Sequence, residues 1–190
     1  MANNAESLLK QGYQARREHR DDDAKSLYAE AVDLCRNGSD RALLAKSLTG
    51  LGQIERDLHE LAKSLAHYEE AVAVLRTIDD PQSLAHTVRH VGDIQREMNQ
   101  LVPALSCYEE ALAIYRGHPD TNTLDLANTL RGFALLKSEL GNPQAAIDLW
   151  KEAGALYNRV WQEPDSPFSE ADVAPGIAES ERQIASLSAL

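Results

Sequence analysis

Two histidines four residues apart, His86 and His90, with Asp93 three further on, are the part of this 190-residue sequence nearest to a metal centre. Steps of four and three put the three side chains on one face of a helix, an arrangement zinc accepts. The glutamate that follows the first histidine in His-Glu-x-x-His hydrolases is missing, and Arg89 brings a cation beside the pair. A packing or surface-lining histidine pair without metal is therefore expected, and a metal-dependent hydrolase using His86 and His90 is the remote alternative. Cys107 and His67 stand 40 residues apart at matching positions of consecutive helices. A cysteine nucleophile needs such a base, but two semi-buried packing residues are the plainer expectation, and Cys35 has no comparable histidine. Glu69-Glu70, Glu109-Glu110 and Asp21-Asp22-Asp23 are expected as solvated faces and helix N-terminal charge. Phosphate-cradling glycine loops and the Gly-x-Ser-x-Gly elbow do not occur. No catalytic residue is assigned, no cofactor is expected, and the chain does not read as an enzyme.

Charge narrows the partners. The 30 acidic against 19 basic side chains leave a net charge of −11, which repels phosphate backbones and makes nucleic acid a poor ligand. The opening MANNAESLLKQ has no basic stretch followed by an apolar one, and no apolar run is long enough to span a bilayer. Two cysteines do not build a disulfide framework. A cytoplasmic protein without a membrane partner is expected.

The residues above are positioned by a repeat. Gly12, Gly52 and Gly92 are 40 apart, and so are Tyr28, Tyr68 and Tyr108, then Ala31, Ala71 and Ala111. A fourth copy, offset by 42, brings Trp150 and Ala153. Apolar residues recur at helical steps in both halves of each copy, as in Leu84, Val88, Val91 and Ile94, then Ala104, Tyr108, Ala111 and Tyr115. The spacing predicts helices over 4–18, 22–36, 41–57, 61–77, 82–98, 101–116, 121–140, 143–160 and 170–188. Asn99, His19, His59 and Gly141 fall where each pair must turn in the left-handed conformation. The glycines imply that another helix passes too close for a side chain, with the large rings filling the adjacent gaps. One copy cannot bury its own face, so the copies must stack. Beyond the fourth lies a helix-free linker, 162–169, with Pro164 and Pro167. Val173, Ile177, Ile184 and Leu187 then form the stripe of a capping helix.

The pattern resembles the tetratricopeptide repeat family. The residues that carry the likeness are Leu51-Gly52, Ser64, Tyr68 and Ala71, and Val91-Gly92, Ala104, Tyr108 and Ala111. It covers about residues 4–160. The period of 40 to 42, longer than the usual ~34, is similar to the kinesin-light-chain-like branch, and the family's first-helix tyrosine is replaced by Ala15, Glu55, Gln95 and Lys137. The resemblance implies an all-α, right-handed superhelical solenoid of four helix pairs plus the C-terminal cap. It would be one domain over 1–190, with repeats at about 4–40, 41–80, 81–120 and 121–162.

That likeness also implies a concave groove lined by first helices. The lining is then Lys46, Thr49 and Gln53; His86, Arg89, His90 and Asp93; Asn128, Arg131 and Leu135; and, at the start, Glu6, Lys10 and Tyr13. The function so implied is a non-catalytic scaffold that binds a peptide or protein segment, the alternative being a sensor of a small signalling peptide or carboxylate. Lys46, Arg89, His90 and Arg131 point to a partner with acidic side chains or a free C-terminus, and Asn128 and Gln53 suit its backbone. Binding should then weaken with salt and strengthen as the histidines protonate. The competing expectation is that Asp93, Glu97 and Glu139 already neutralise these cations. The ladders Arg16, Arg56, Arg96 and Glu30, Glu70, Glu110, Glu152 are expected to be structural interhelix pairs.

Overall fold

The computed structural model describes residues 2–118, 120–163 and 168–189, with residues 2 and 3 described by their backbone alone. Among them are nine helices and no strand: α1 (Ala2–Arg17), α2 (Asp21–Arg36), α3 (Arg41–Asp57), α4 (Leu61–Leu75), α5 (Pro81–Glu97), α6 (Leu101–Gly117), α7 (Thr123–Glu139), α8 (Pro143–Gln162) and α9 (Glu170–Ser188). These match the expected segments to within a few residues at each end. Residues 164–167, the middle of the expected linker with both of its prolines, lie outside the described residues.

Local chemistry sets the ends. Asp40 and Asp80 accept hydrogen bonds from Leu43 N (2.9 Å) and Ser83 N (3.0 Å), and Pro81 and Pro143 sit where a helix needs no N–H. Within each pair the turn is made in left-handed backbone: His19, His59 and Asn99 have φ of 56°, 60° and 60°, and Gly141 has 73°. These are the four positions the sequence singles out.

The chain divides into two compact units, residues 1–98 and 99–190. In the first, α1 to α5 pack in succession, and α1 also meets α3. Its core is built from Ala15, Tyr28, Val32, Leu48, Ile54, Ala71 and Leu75. The glycines leave room for rings rather than for helix backbone. A Cβ on Gly12 would lie 3.0 Å from the Tyr28 ring, one on Gly50 only 2.5 Å from the same ring, and one on Gly52 3.0 Å from Tyr68. Tyr28 of α2 is thus wedged between α1 and α3.

The second unit packs α6 on α7, α7 on α8 and α8 on α9, with α9 also reaching α7. Tyr108, Leu130, Phe133, Leu136, Tyr157, Val160 and Val173 form one cluster, and Ala134, Ala146 and Trp150 another, against which Ile184 and Leu187 pack. α9 has its own small residue. A Cβ on Gly176 would stand 2.6 Å from the Tyr157 ring. Val173 is buried and Ile177, Ile184 and Leu187 are half-buried, so the expected stripe is the face α9 turns inward.

Candidate functional site

Within the first unit, the first helices of the pairs, α1, α3 and α5, are tied together by polar side chains. Arg16 of α1 donates to Asp57 of α3 at 2.6 Å. Arg56 of α3 donates through Nε to Glu97 of α5 at 3.1 Å, and its Nη1 lies 3.5 Å from Asp93 Oδ2. Thr49 and Thr87 face each other with their hydroxyl oxygens 3.5 Å apart, and Thr87 also donates to Ser83 O at 2.8 Å. Arg16 and Arg56 of the arginine ladder are therefore interhelix braces, and on the second helices Arg36 and Glu70 pair in the same way at 2.7 Å.

Asp93 is the centre of this face. Arg89 Nη1 donates to its Oδ2 at 2.8 Å, one helical turn back on α5. The same guanidinium turns Nη2 to His90 Nε2 at 2.9 Å. A guanidinium only donates, so Nε2 of His90 accepts and the neutral ring carries its proton on Nδ1. His86 Nε2 lies 3.2 Å from the same nitrogen. Burial, reinforced by the charges of Arg89 and then by His86, Arg56 and Arg16, holds the His90 pKa well below the ordinary histidine range. Burial also works against the charge on Arg56, but the Glu97 hydrogen bond and the Asp93 and Glu97 carboxylates outweigh it and raise its pKa.

This geometry separates the expected site residues. His86, Arg89, His90 and Asp93 are brought into one network, but Arg89 is only 12% exposed and faces inward. It positions the floor of the face. His90 is buried and neutral, which corrects the expectation that it gains charge and strengthens binding as pH falls. The lone pair a metal would need on His90 is taken by Arg89, and among the described residues no three His, Cys, Asp or Glu side chains group as a metal site. On α3, Lys46 is exposed, and Thr49 and Gln53 are half-buried. His67 Nδ1 is engaged with the buried Glu55 at 2.6 Å, and Cys35 is buried with its sulfur 3.7 Å from Ser47 Oγ.

The role of His90 is one the sequence left unread. Its ring stacks on Tyr68, centroids 5.1 Å apart and 12° from parallel. His90 stands 40 residues after Gly50, the glycine that admits Tyr28, so the register itself held the signal.

In the second unit the corresponding helix is α7. Asn128 accepts from the Tyr157 hydroxyl at 2.7 Å, and Arg131 donates from Nε to Glu179 of α9 at 2.5 Å. Tyr108 stacks on Phe133, centroids 5.7 Å apart, with Lys137 4.8 Å above the Phe133 ring. Leu135 is half-buried. The acid that meets Arg131 is thus Glu179, which the repeat pattern did not mark.

No helix among the described residues is long and apolar enough to cross a membrane. No curated protein matches the sequence. Among solved structures, the fold is similar to BtubC (BKLC) from P. vanneervenii, at 15% identity and a TM-score of 0.73, over 99% of this chain and 84% of that one. It is also similar to a putative kinesin light chain with nearly identical TPR-like repeats from Podosopora anserina, at 14% identity and a TM-score of 0.66, over 97% and 94% of the two chains. The tetratricopeptide repeat pattern itself matches at residues 3–77, 44–117 and 82–159. With that coverage, and with the paired helices and ring-filled glycines described above, the chain belongs to the tetratricopeptide repeat family, an all-α repeat solenoid.

Proposed function

We propose that this chain is a non-catalytic interaction module whose first helices hold an extended segment of another protein, with acidic side chains or a C-terminal carboxylate on that segment. Tetratricopeptide repeats generally mediate protein–protein interaction. The observation that carries the reading is the polar face of α3 and α5: Lys46 exposed, Thr49, Gln53 and His86 half-buried, above a floor braced by Arg56, Arg89 and Asp93. Bracing by side chains already in place lowers the entropy lost on binding. Among the described residues Lys46 has no ion pair, so a partner carboxylate there displaces nothing. In the second unit Arg131 is 42% exposed and keeps donors beyond the one given to Glu179.

The test uses a fluorescein-labelled acidic decapeptide of Glu, Asp and Leu with a free C-terminus, read by polarisation at low salt. Lys46→Ala should weaken its binding by about 0.5–1 kcal/mol, the upper range for an exposed ion pair. Losses below about 0.5 kcal/mol in both Lys46→Ala and Arg131→Ala would leave these cations as ordinary surface.

A further inference from the structure

We propose that Glu179 of α9 is a built-in competitor for the carboxylate that Arg131 takes from a partner, so that the C-terminal helix sets how tightly the second unit holds an acidic segment. The inference rests on the acidic-partner reading above and adds its regulation.

The two units treat equivalent positions differently. Arg131 stands 42 residues after Arg89 on the matching first helix. Arg89 is satisfied from its own helix by Asp93 and is nearly buried. Position 135, one turn beyond Arg131 where Asp93 follows Arg89, is Leu135, so α7 offers no such acid. The acid comes from outside the pair: Glu179, 48 residues on, reaches Arg131 Nε at 2.5 Å while the arginine stays 42% exposed and the glutamate 21% exposed. α9 is not held there by this contact. Gly176 admits the Tyr157 ring, Val173 is buried, and Ile184 and Leu187 pack beside Trp150. The helix stays docked when the ion pair opens, so Glu179 can yield to another carboxylate without unfolding anything. A half-exposed pair contributes little, and such an anion is displaced at small cost.

The acidic decapeptide serves as probe, with the full chain throughout. Glu179→Gln should tighten its binding about 2- to 5-fold, the range set by the weakness of exposed ion pairs. Glu181→Gln removes the same charge from an exposed neighbouring position and should change affinity less than 1.5-fold. In the Arg131→Ala background the Glu179→Gln gain should vanish. Glu179→Ala, with helicity and thermal melting followed alongside, repeats the test if glutamine disturbs α9. Equal gains from Glu179→Gln and Glu181→Gln, or no gain from Glu179→Gln while Lys46→Ala still weakens the probe, would overturn the inference and leave the acidic-partner reading standing. No binding to any variant, Glu179→Gln included, would overturn both.

Discussion

Tyr68 and Tyr108 are the same residue of consecutive repeats, yet one ring lies on His90 and the other on Phe133. Around the first stack the unit has built an ionic floor, with Asp93 gathering Arg89 and Arg56, and an imidazole kept neutral by its burial and then by the charge of Arg89. Around the second lies a hydrocarbon cluster, with Lys137 over the Phe133 ring. The interlock of ring against small residue fixes how the helices pack in both. What the first helices present above that interlock is free to vary. Scaffold and surface chemistry are written at different positions of the same repeat.

Removing Asp93 should separate the two units most strongly. Asp93→Ala leaves Arg89 and Arg56 facing a buried neutral histidine without their shared carboxylate. It should cost about 3–5 kcal/mol, as breaking one side of a buried pair does. Urea denaturation measures the loss, and hydrogen exchange should place it in α3 and α5. A cost under about 1 kcal/mol would mean the floor is not an electrostatic unit.

Acid should act on the same side. The unfolded His90 titrates near ~6.5 and the folded one lower. Below about pH 6.5 the unfolded chain therefore binds the extra proton, and stability falls as pH falls through that window. Exchange protection of α5 should drop between pH 7 and pH 5 more than that of α8, and His90→Phe should remove the difference. Protection that falls equally in both helices would show that the imidazole is not responsible.

The smallest effect concerns two hydroxyls. Tyr157 Oη donates to Asn128, whereas the buried Tyr68 Oη has no hydrogen-bond partner among the described residues. Tyr157→Phe should cost about 1 kcal/mol, and Tyr68→Phe should be neutral within about 0.5 kcal/mol or stabilising. Thermal melts of the two variants give the contrast directly, and equal losses would erase it.

Much of this was legible in the sequence because it repeats. The nine helices follow from apolar periodicity, and the left-handed turns at His19, His59, Asn99 and Gly141 follow from register alone. The reason for the glycines was half legible: close approach was evident at Gly12 and Gly52, but not that a tyrosine ring makes it, nor that Gly50 shares the task. At the candidate site, residue types were visible and directions were not. Arg89 has the composition of a groove cation, and only its rotamer shows it spent on Asp93 and His90. Glu179 was beyond reach for another reason. It follows a break in the 40-residue period, so no register connects α9 to Arg131.

Both tryptophans of the chain fall in one unit: Trp150 fully buried in the second core, and Trp161 half-exposed at the end of α8. The first unit has only tyrosines. Indole emission excited at long wavelength is therefore blind to α1 through α5, while far-ultraviolet ellipticity sums all nine helices. The untagged protein is in this way its own two-channel thermometer. A melt in which ellipticity falls before the emission of Trp150 shifts to the red is the optical signature of the ionic floor giving way while the hydrocarbon one still holds.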